Sequence, residues 1–273
     1  MTVDRQPRQT GADPSAEPMT VFIISWGRPI YLWACLDALY RQTLSTVRFV
    51  LLDNAHADPV VDDVIVGFER RGMFSEVIRF KTNSVENIAQ AYYERLTDLG
   101  PLHAYIESDC VIESASDCWL AEMRRIMEKN TQIGMLGSLI EHSDFVSDEV
   151  ALRLTEGDLG KADFLAKSKS PERKFMESTS LVDMSQDYLL TEPPFPILSP
   201  PGRLMMLRTD VMKKIGFQVD MVLADMVKAR GLHAAITPKI RHRHLSLLNV
   251  YDYPDYDEAH RTDFFPLHPI PLK

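Results

Sequence analysis

The sequence predicts an α/β fold: a mostly parallel sheet flanked by helices, followed by an irregular second half. Two observations predict it. Short apolar runs rich in β-branched and aromatic residues alternate four times with longer segments whose apolar residues recur at helical spacing. Those strand–helix alternations imply right-handed βαβ units, with helices covering both faces of a parallel sheet. The rhythm then stops, and from His142 to Pro201 the chain turns to Ser, Asp, Lys and Pro.

Each element has its own local reason. "TVFIIS" (20–25) is continuous in β-branched and aromatic residues and reads as a buried strand. "IYLWACLDALYRQ" (30–42) sets Leu32, Leu36 and Leu39 on one helical face, and Pro29 suits a first turn where a missing N–H costs nothing. "VRFVLLDN" (47–54) is the second strand, and "VVDDVIVGFERRG" (60–72) is a helix with Gly72 as its C-cap. "EVIRFK" (76–81) and "VENIAQAYYERLTDLG" (85–100) repeat the unit. "HAYIES" (103–108), "SDCWLAEMRRIMEKN" (116–130) and a short strand "IGMLGS" (133–138) follow. In the irregular region only "DEVALRL" (148–154) suggests a helix, and "TEPPFPILSPPG" (191–202) is a proline tract. A segment of that length is expected to serve as a lid or an acceptor-facing surface. Regular structure resumes with helices at 209–216 and 219–231 and a strand "HAAITP" at 233–238.

Bulk properties exclude several classes of function. The chain has 273 residues, 45% hydrophobic and 25% charged, enough for a sizeable core. A net charge of −9 argues against a general nucleic-acid surface, which needs clustered Lys and Arg. No apolar run approaches the roughly 20 residues that cross a bilayer, which still leaves peripheral membrane contact open. Cys35, Cys110 and Cys118 make no CxxC pair, which fits a reducing cytoplasm. The first turn holds one glycine, Gly27, where a dinucleotide-binding fingerprint needs three, and no Walker A sequence occurs.

The polar residues that remain sit at strand exits. Ser25, Trp26, Gly27 and Arg28 follow the first strand, Asp53 and Asn54 close the second, Asn83 follows the third, and Glu107, Ser108 and Asp109 end the fourth. In an open parallel sheet those ends are neighbours, and ligands bind in the crevice beyond them. Two carboxylates at i and i+2 repel each other unless a cation stands beside them. A hard divalent ion, Mg²⁺ or Mn²⁺, suits such oxygen ligands and also bridges phosphates. Without a glycine-rich loop, phosphate must be held by metal and cationic side chains. "KIRHRHLS" (239–246) offers them: as a strand it would put His242 and His244 on one face and Arg241 and Arg243 on the other. Histidine can ligate a metal, and arginine can neutralise a diphosphate.

Taken together these stretches resemble the GT-A glycosyltransferases, especially the family 2 type. The resemblance rests on "TVFIISWGRP", on Cys35-Leu36, Leu39 and Gln42-Thr43, on Asp53 closing its strand, on "NSVENIAQAYYERL", on "YIESD" in the place of an Asp-x-Asp metal motif, on "GRLMMLRTDVMKKIGF", and on Pro238 followed by His244. It covers most of Thr20 to Ser246. It implies a GT-A, Rossmann-like domain over 19–246, with a nucleotide-binding half (19–141) and an acceptor or lid half (142–246). Residues 1–18 would be a disordered tail and 247–273 a C-terminal extension. The implied activity is metal-assisted transfer of a sugar from a nucleotide-diphosphate donor to a hydroxyl acceptor, with Mn²⁺ or Mg²⁺ as cofactor.

The resemblance also implies roles. Asp53 would bind the base or ribose under the Ser25, Trp26 and Arg28 turn, with Asn83 and Ser108 lining the donor site. Asp109 would ligate the metal, Glu107 would touch ribose or metal-bound water, and His244 or its alternative His242 would be the second ligand. Asp220, eleven residues before Gly231, falls where inverting members carry the general base. Three departures from the pattern stand out: Glu107 for the first Asp, Val219 for a second acid, and Met226 for an arginine. The first two give weight to a catalytically impaired nucleotide-sugar-binding protein as the alternative. A sugar-phosphate nucleotidyltransferase is less favoured, because "SWGRP" supplies one glycine where that chemistry needs a glycine-rich basic turn.

Overall fold

The computed structural model describes residues 18–114, 118–141, 145–169, 187–190, 203–218 and 220–245. The expected N-terminal tail, the proline tract 191–202 and the extension 247–273 lie outside the described residues, apart from Pro18 at the edge of the tail. The sheet contains β1 (Met19–Ser25), β2 (Val47–Asp53), β3 (Phe74–Arg79), β4 (Leu102–Glu107), β5 (Cys110–Ser114), β6 (Ile133–Ile140), β7 (Leu189–Leu190), β8 (Leu204–Arg208) and β9 (His233–His244). Around it lie α1 (Pro29–Gln42), α2 (Pro59–Glu69), α3 (Val85–Arg95), α4 (Trp119–Lys129), α5 (Asp148–Leu154), α6 (Leu159–Leu165), α7 (Thr209–Ile215) and α8 (Asp220–Lys228).

The strand order is β3-β2-β1-β4-β8-β6-β9-β5, with β7 paired to β9. β1 pairs in parallel with β2 and β4, β2 with β3, and β6 with β9. β8 runs antiparallel between β4 and β6, and β5 and β7 run antiparallel to β9. The expected parallel α/β sheet is therefore present, with three reversed strands, β5 from the first half of the chain and β7 and β8 from the second.

Alternation along the strands builds two cores. Val21 and Ile23 of β1 face α1, α2 and α4, where Leu36, Ile65 and Trp119 are fully buried or nearly so. Phe22, between them, faces α3, α7 and α8 with Tyr92, Met212 and Val227. Period-2 side chains thus feed helical layers on both faces, and each large apolar side chain buried contributes about 1.5–3 kcal/mol. Helix starts follow local capping: Asp58 accepts from Val60 N, Ser84 from Asn87 N and Ser147 from Val150 N. Pro29 opens α1 as expected.

The structure differs from the sequence expectations after β4. "CVIES" and "LMMLR" are strands β5 and β8, neither of which periodicity reveals, because five residues of Leu and Met or of mixed polarity carry little strand signal until a partner is present. The strand expected at 233–238 continues to His244. The expected helix at 148–154 is α5, but α6 follows it. Ala151, Ala162, Leu165 and Ala166 gather with Ile140 and Phe145 in a third apolar cluster. Part of the expected irregular region is thus a packed helical pair.

Candidate active site

The carboxyl ends of β1, β2 and β4 and the start of β8 surround a cleft of about 370 Å³, lined by Ile24, Trp26, Arg28, Tyr31, Asn54, Asn83, Glu107, Ser108, Asp109, Arg203 and His244. Sheet geometry assembles it. Asn54 N donates to Ser25 O at 2.8 Å and Ser108 N to Ile24 O at 2.9 Å, so the ladder carries on past the strand ends and holds the turns side by side. Between β4 and β5 the chain reverses at Ser108 and Asp109. In the β5–β9 pairing Cys110 stands opposite His244, and Leu245 N donates to Asp109 O at 2.9 Å. That register brings His244 Nε2 to 3.5 Å from Asp109 Oδ2. Both side chains are buried.

Two arginines complete the charge pattern. Arg28 precedes α1 in the left-handed region (φ 52°), with Nη1 3.6 Å from Asp109 Oδ2 and its guanidinium 5.6 Å from the centre of the Tyr31 ring. Arg203, just before β8, hydrogen-bonds Glu107 through Nη1, while its carbonyl accepts from Glu107 N at 2.9 Å. Burial pushes the Glu107 carboxyl up; Arg203 opposes that, and Asp109 adds to it. Burial works against the charge on Arg203, but Glu107 and Asp109 outweigh it, so its pKa lies above arginine's ordinary value. Burial also raises Cys35 and Cys110 beside Asp109, which keeps both as inert thiols.

The other predicted residues fall into place around this centre. Trp26 lines the cleft at 55% exposure, a flat surface open to a ligand. Asn83 Oδ1 accepts from Asn54 Nδ2 at 2.6 Å, and Asn54 Oδ1 accepts from Ser84 N at 3.1 Å. Ser25 and Asp53 lie behind the lining; Asp53 is 2% exposed and accepts from His56 Nδ1 at 2.9 Å. His242 shares the buried face of β9 with His244, but its Nδ1 meets Ser138 Oγ at 2.7 Å. Burial, with His244 beside it, pushes His242 down to about 3. Arg241 and Arg243 occupy the opposite face, where Arg241 meets Glu141 at 3.5 Å and Arg243 meets Glu113 at 4.0 Å; neither lines the cleft. Asp220 opens α8, and its side chain lies outside the described residues.

Sequence reasoning missed Tyr31 and Arg203. Tyr31 is two residues beyond the Pro29 that marked a helix start, and helical geometry returns it toward the turn. Nothing near Arg203 in sequence signals its role, since its partner lies 96 positions away.

The donor set fits a hard divalent ion through Asp109 and His244, one carboxylate oxygen and one imidazole nitrogen within reach of a shared cation. Glu107 and His242 already have other partners. Among the described residues no group of three or more His, Cys, Asp or Glu side chains is gathered as for a metal. The fit therefore has two protein ligands, and phosphate or water oxygens would complete the coordination.

No protein-family model and no curated protein matches the sequence. Solved structures do match the fold. A mannosyltransferase from Pyrobaculum calidifontis in complex with GDP-Man and Mn²⁺ superposes with a TM-score of 0.54 at 14% identity, over 88% of this chain and 60% of its own. The S. aureus TarS fragment in complex with UDP-GlcNAc gives 0.53 at 14%, over 94% and 68%. GalNAc-T7 with UDP, GalNAc and Mn²⁺ gives 0.54 at 12%, over 83% and 43%. This chain thus spans about three-fifths of the mannosyltransferase it resembles. No helix of the described residues is long and apolar enough to cross a membrane. The sheet order, the strand-end cleft and these superpositions together identify the chain's fold as that of the GT-A nucleotide-diphospho-sugar transferases.

Proposed function

We propose that the protein transfers a sugar from a nucleotide-diphosphate donor to a hydroxyl acceptor, with help from a divalent cation. The observation that carries this reading is the buried Asp109–His244 pair at the floor of a strand-end cleft flanked by two arginines. Similar structures hold GDP-Man and Mn²⁺, or UDP, GalNAc and Mn²⁺, which supports donors of that chemical class.

Asn54 and Asn83 line the cleft beyond β2 and β3, with Trp26 in the turn after the neighbouring β1, and these three would receive the base and ribose. Asp53, buried against His56 and outside the lining, would contact the ribose only if the cleft deepened there. Asp109 and His244 would hold Mn²⁺ or Mg²⁺, which when bound supplies positive charge against the departing diphosphate. Two carboxylates and two arginines already balance in the cleft, so an incoming diphosphate calls for further positive charge. In the transfer itself the bond from the sugar's anomeric carbon to the phosphate oxygen breaks, taking its electron pair to the diphosphate. The acceptor oxygen bonds to that carbon, and its proton passes to a carboxylate base, for which Asp220 is our assignment. The acceptor is unidentified, and a cytoplasmic location remains our proposal.

Calorimetry with UDP and GDP, with and without Mn²⁺, tests the donor site. Asp109→Ala should abolish the Mn²⁺-dependent part of binding while the circular dichroism spectrum stays native. Equal affinity in wild type and variant would remove Asp109 from the metal site. Incubation with UDP-, GDP- and dTDP-sugars plus Mn²⁺ should then reveal slow donor hydrolysis. A nucleotide-binding protein that has lost activity would show binding without it.

A further inference from the structure

Phosphate recognition without a glycine-rich loop needs cations, and the basic tract at 239–244 does not supply them, because Arg241 and Arg243 face away and meet Glu141 and Glu113. The guanidiniums that do line the cleft are those of Arg28 and Arg203. Each rests on a carboxylate, Arg28 on Asp109 and Arg203 on Glu107. Arg203 Nε is buried with no hydrogen-bond acceptor among the described residues, and Arg28 Nη1, itself the atom 3.6 Å from Asp109 Oδ2, is likewise buried and stands beyond hydrogen-bond distance of that carboxylate. A buried donor without an acceptor is costly, and a ligand oxygen would remove that cost.

The order of the strands assigns the two arginines different places. From β2 the sheet runs through β1 and β4 to β8. Asn54 stands at the β2 end, Arg28 follows β1, Asp109 follows β4 and Arg203 precedes β8. Three strand spacings of roughly 4.8 Å put the β8 position about 14 Å from the β2 position. A nucleoside diphosphate laid across these ends, base at Asn54 and Asn83, spans that distance with its terminal phosphate; a monophosphate stops short of it. Arginine suits the task, since its planar fork meets two phosphate oxygens at once and its charge persists at any working pH.

We propose that Arg203 is the residue that recognises the terminal phosphate of the donor's diphosphate, exchanging its Glu107 partner for phosphate oxygens when the donor binds. This rests on the donor reading above and adds a specificity-determining residue to it. Arg203 makes the cleft select diphosphates over monophosphates. Glu107, a glutamate where the resemblance expects an aspartate, holds the guanidinium in place until then; its extra methylene carries the carboxylate across to β8.

The test is paired calorimetry with UDP and UMP, and with GDP and GMP, in the presence of Mn²⁺. Arg203→Ala should weaken the diphosphate of the pair that binds by about 10–100-fold, as expected for charge-assisted hydrogen bonds, and leave the monophosphate within about twofold. Because Arg203→Ala strands a buried carboxylate, Arg203→Ala/Glu107→Gln serves as the variant that folds without it, with the same expected selective loss. If diphosphate and monophosphate weaken together, or neither changes, while wild type binds, Arg203 does not read the terminal phosphate and the donor reading survives. If wild type binds none of the four, the donor reading fails and this inference fails with it.

Discussion

Gly216 is required by backbone and space together. It follows α7 at φ 82° and ψ 178°, a region that side chains hardly enter, and a Cβ there would lie 1.6 Å from Tyr93 Oη. Gly216→Ala should cost about 1–3 kcal/mol from the backbone, measured by urea unfolding, and less of the total in a Tyr93→Phe background, where the clashing oxygen is gone. Equal losses in both backgrounds would mean that Tyr93 simply swings away. His56 shows a second residue-scale effect. Burial disfavours its charge, but Asp53 and Asp62 outweigh burial, so its pKa is raised in the folded protein. A raised pKa means that the folded state binds the proton more tightly. The stability so gained is complete below the unfolded value near 6.5 and is lost as pH rises through the folded value. The melting-temperature advantage of wild type over His56→Gln should therefore shrink as pH rises above about 6.5. A difference that stays constant from acid to mildly alkaline pH would show that the pair contributes no proton linkage.

At the scale of elements, the reversed strand β8 does two jobs that no local pattern announces. At its start Arg203 enters the cleft. At its end Arg208 donates from Nε to Ile133 O at 2.7 Å and from Nη2 to Met127 O at 2.6 Å and Asn130 O at 3.1 Å, capping the carbonyls where α4 gives way to β6. Arg208→Met should cost about 2–3 kcal/mol, since it leaves these acceptors without their charged donor. Arg208→Lys should recover only part, because one ammonium cannot span all of them. Full recovery by lysine would show that charge rather than the fork matters. Most helices were legible beforehand, since apolar residues such as Leu32, Leu36 and Leu39 carry their signal within a few residues, although α6 was not. β5 and β8 were not, because a short strand gains its stability from partners, here β9 for one and β4 and β6 for the other.

At the scale of the whole molecule, a cleft built on strand ends couples ligand binding to the centre of the sheet. UDP or GDP with Mn²⁺, whichever binds, should slow hydrogen exchange at residues 24–28, 53–56, 107–110 and 203–206, the turns that line or adjoin the cleft. Residues 148–165, which pack in their own cluster with α5 and α6, should exchange unchanged. Protection spread evenly over both would mean that the ligand acts by global stabilisation rather than through the strand ends.

Composition and periodicity alone determined the parallel α/β core, the helix start at Pro29, and the edge of the sheet where polar residues collect, because all of these depend on contacts between near neighbours or on simple alternation. Alternation also set His242 and His244 on the face opposite Arg241 and Arg243. Only the tertiary structure decided which of those groups meet. The β5–β9 register joins His244 to Asp109 and leaves His242 with Ser138. Asp53 turns to His56 rather than into the cleft. Arg203 crosses 96 positions to Glu107. Such pairings depend on strand order and register, which are fixed when distant segments close on one another, and no local stretch of sequence carries that information.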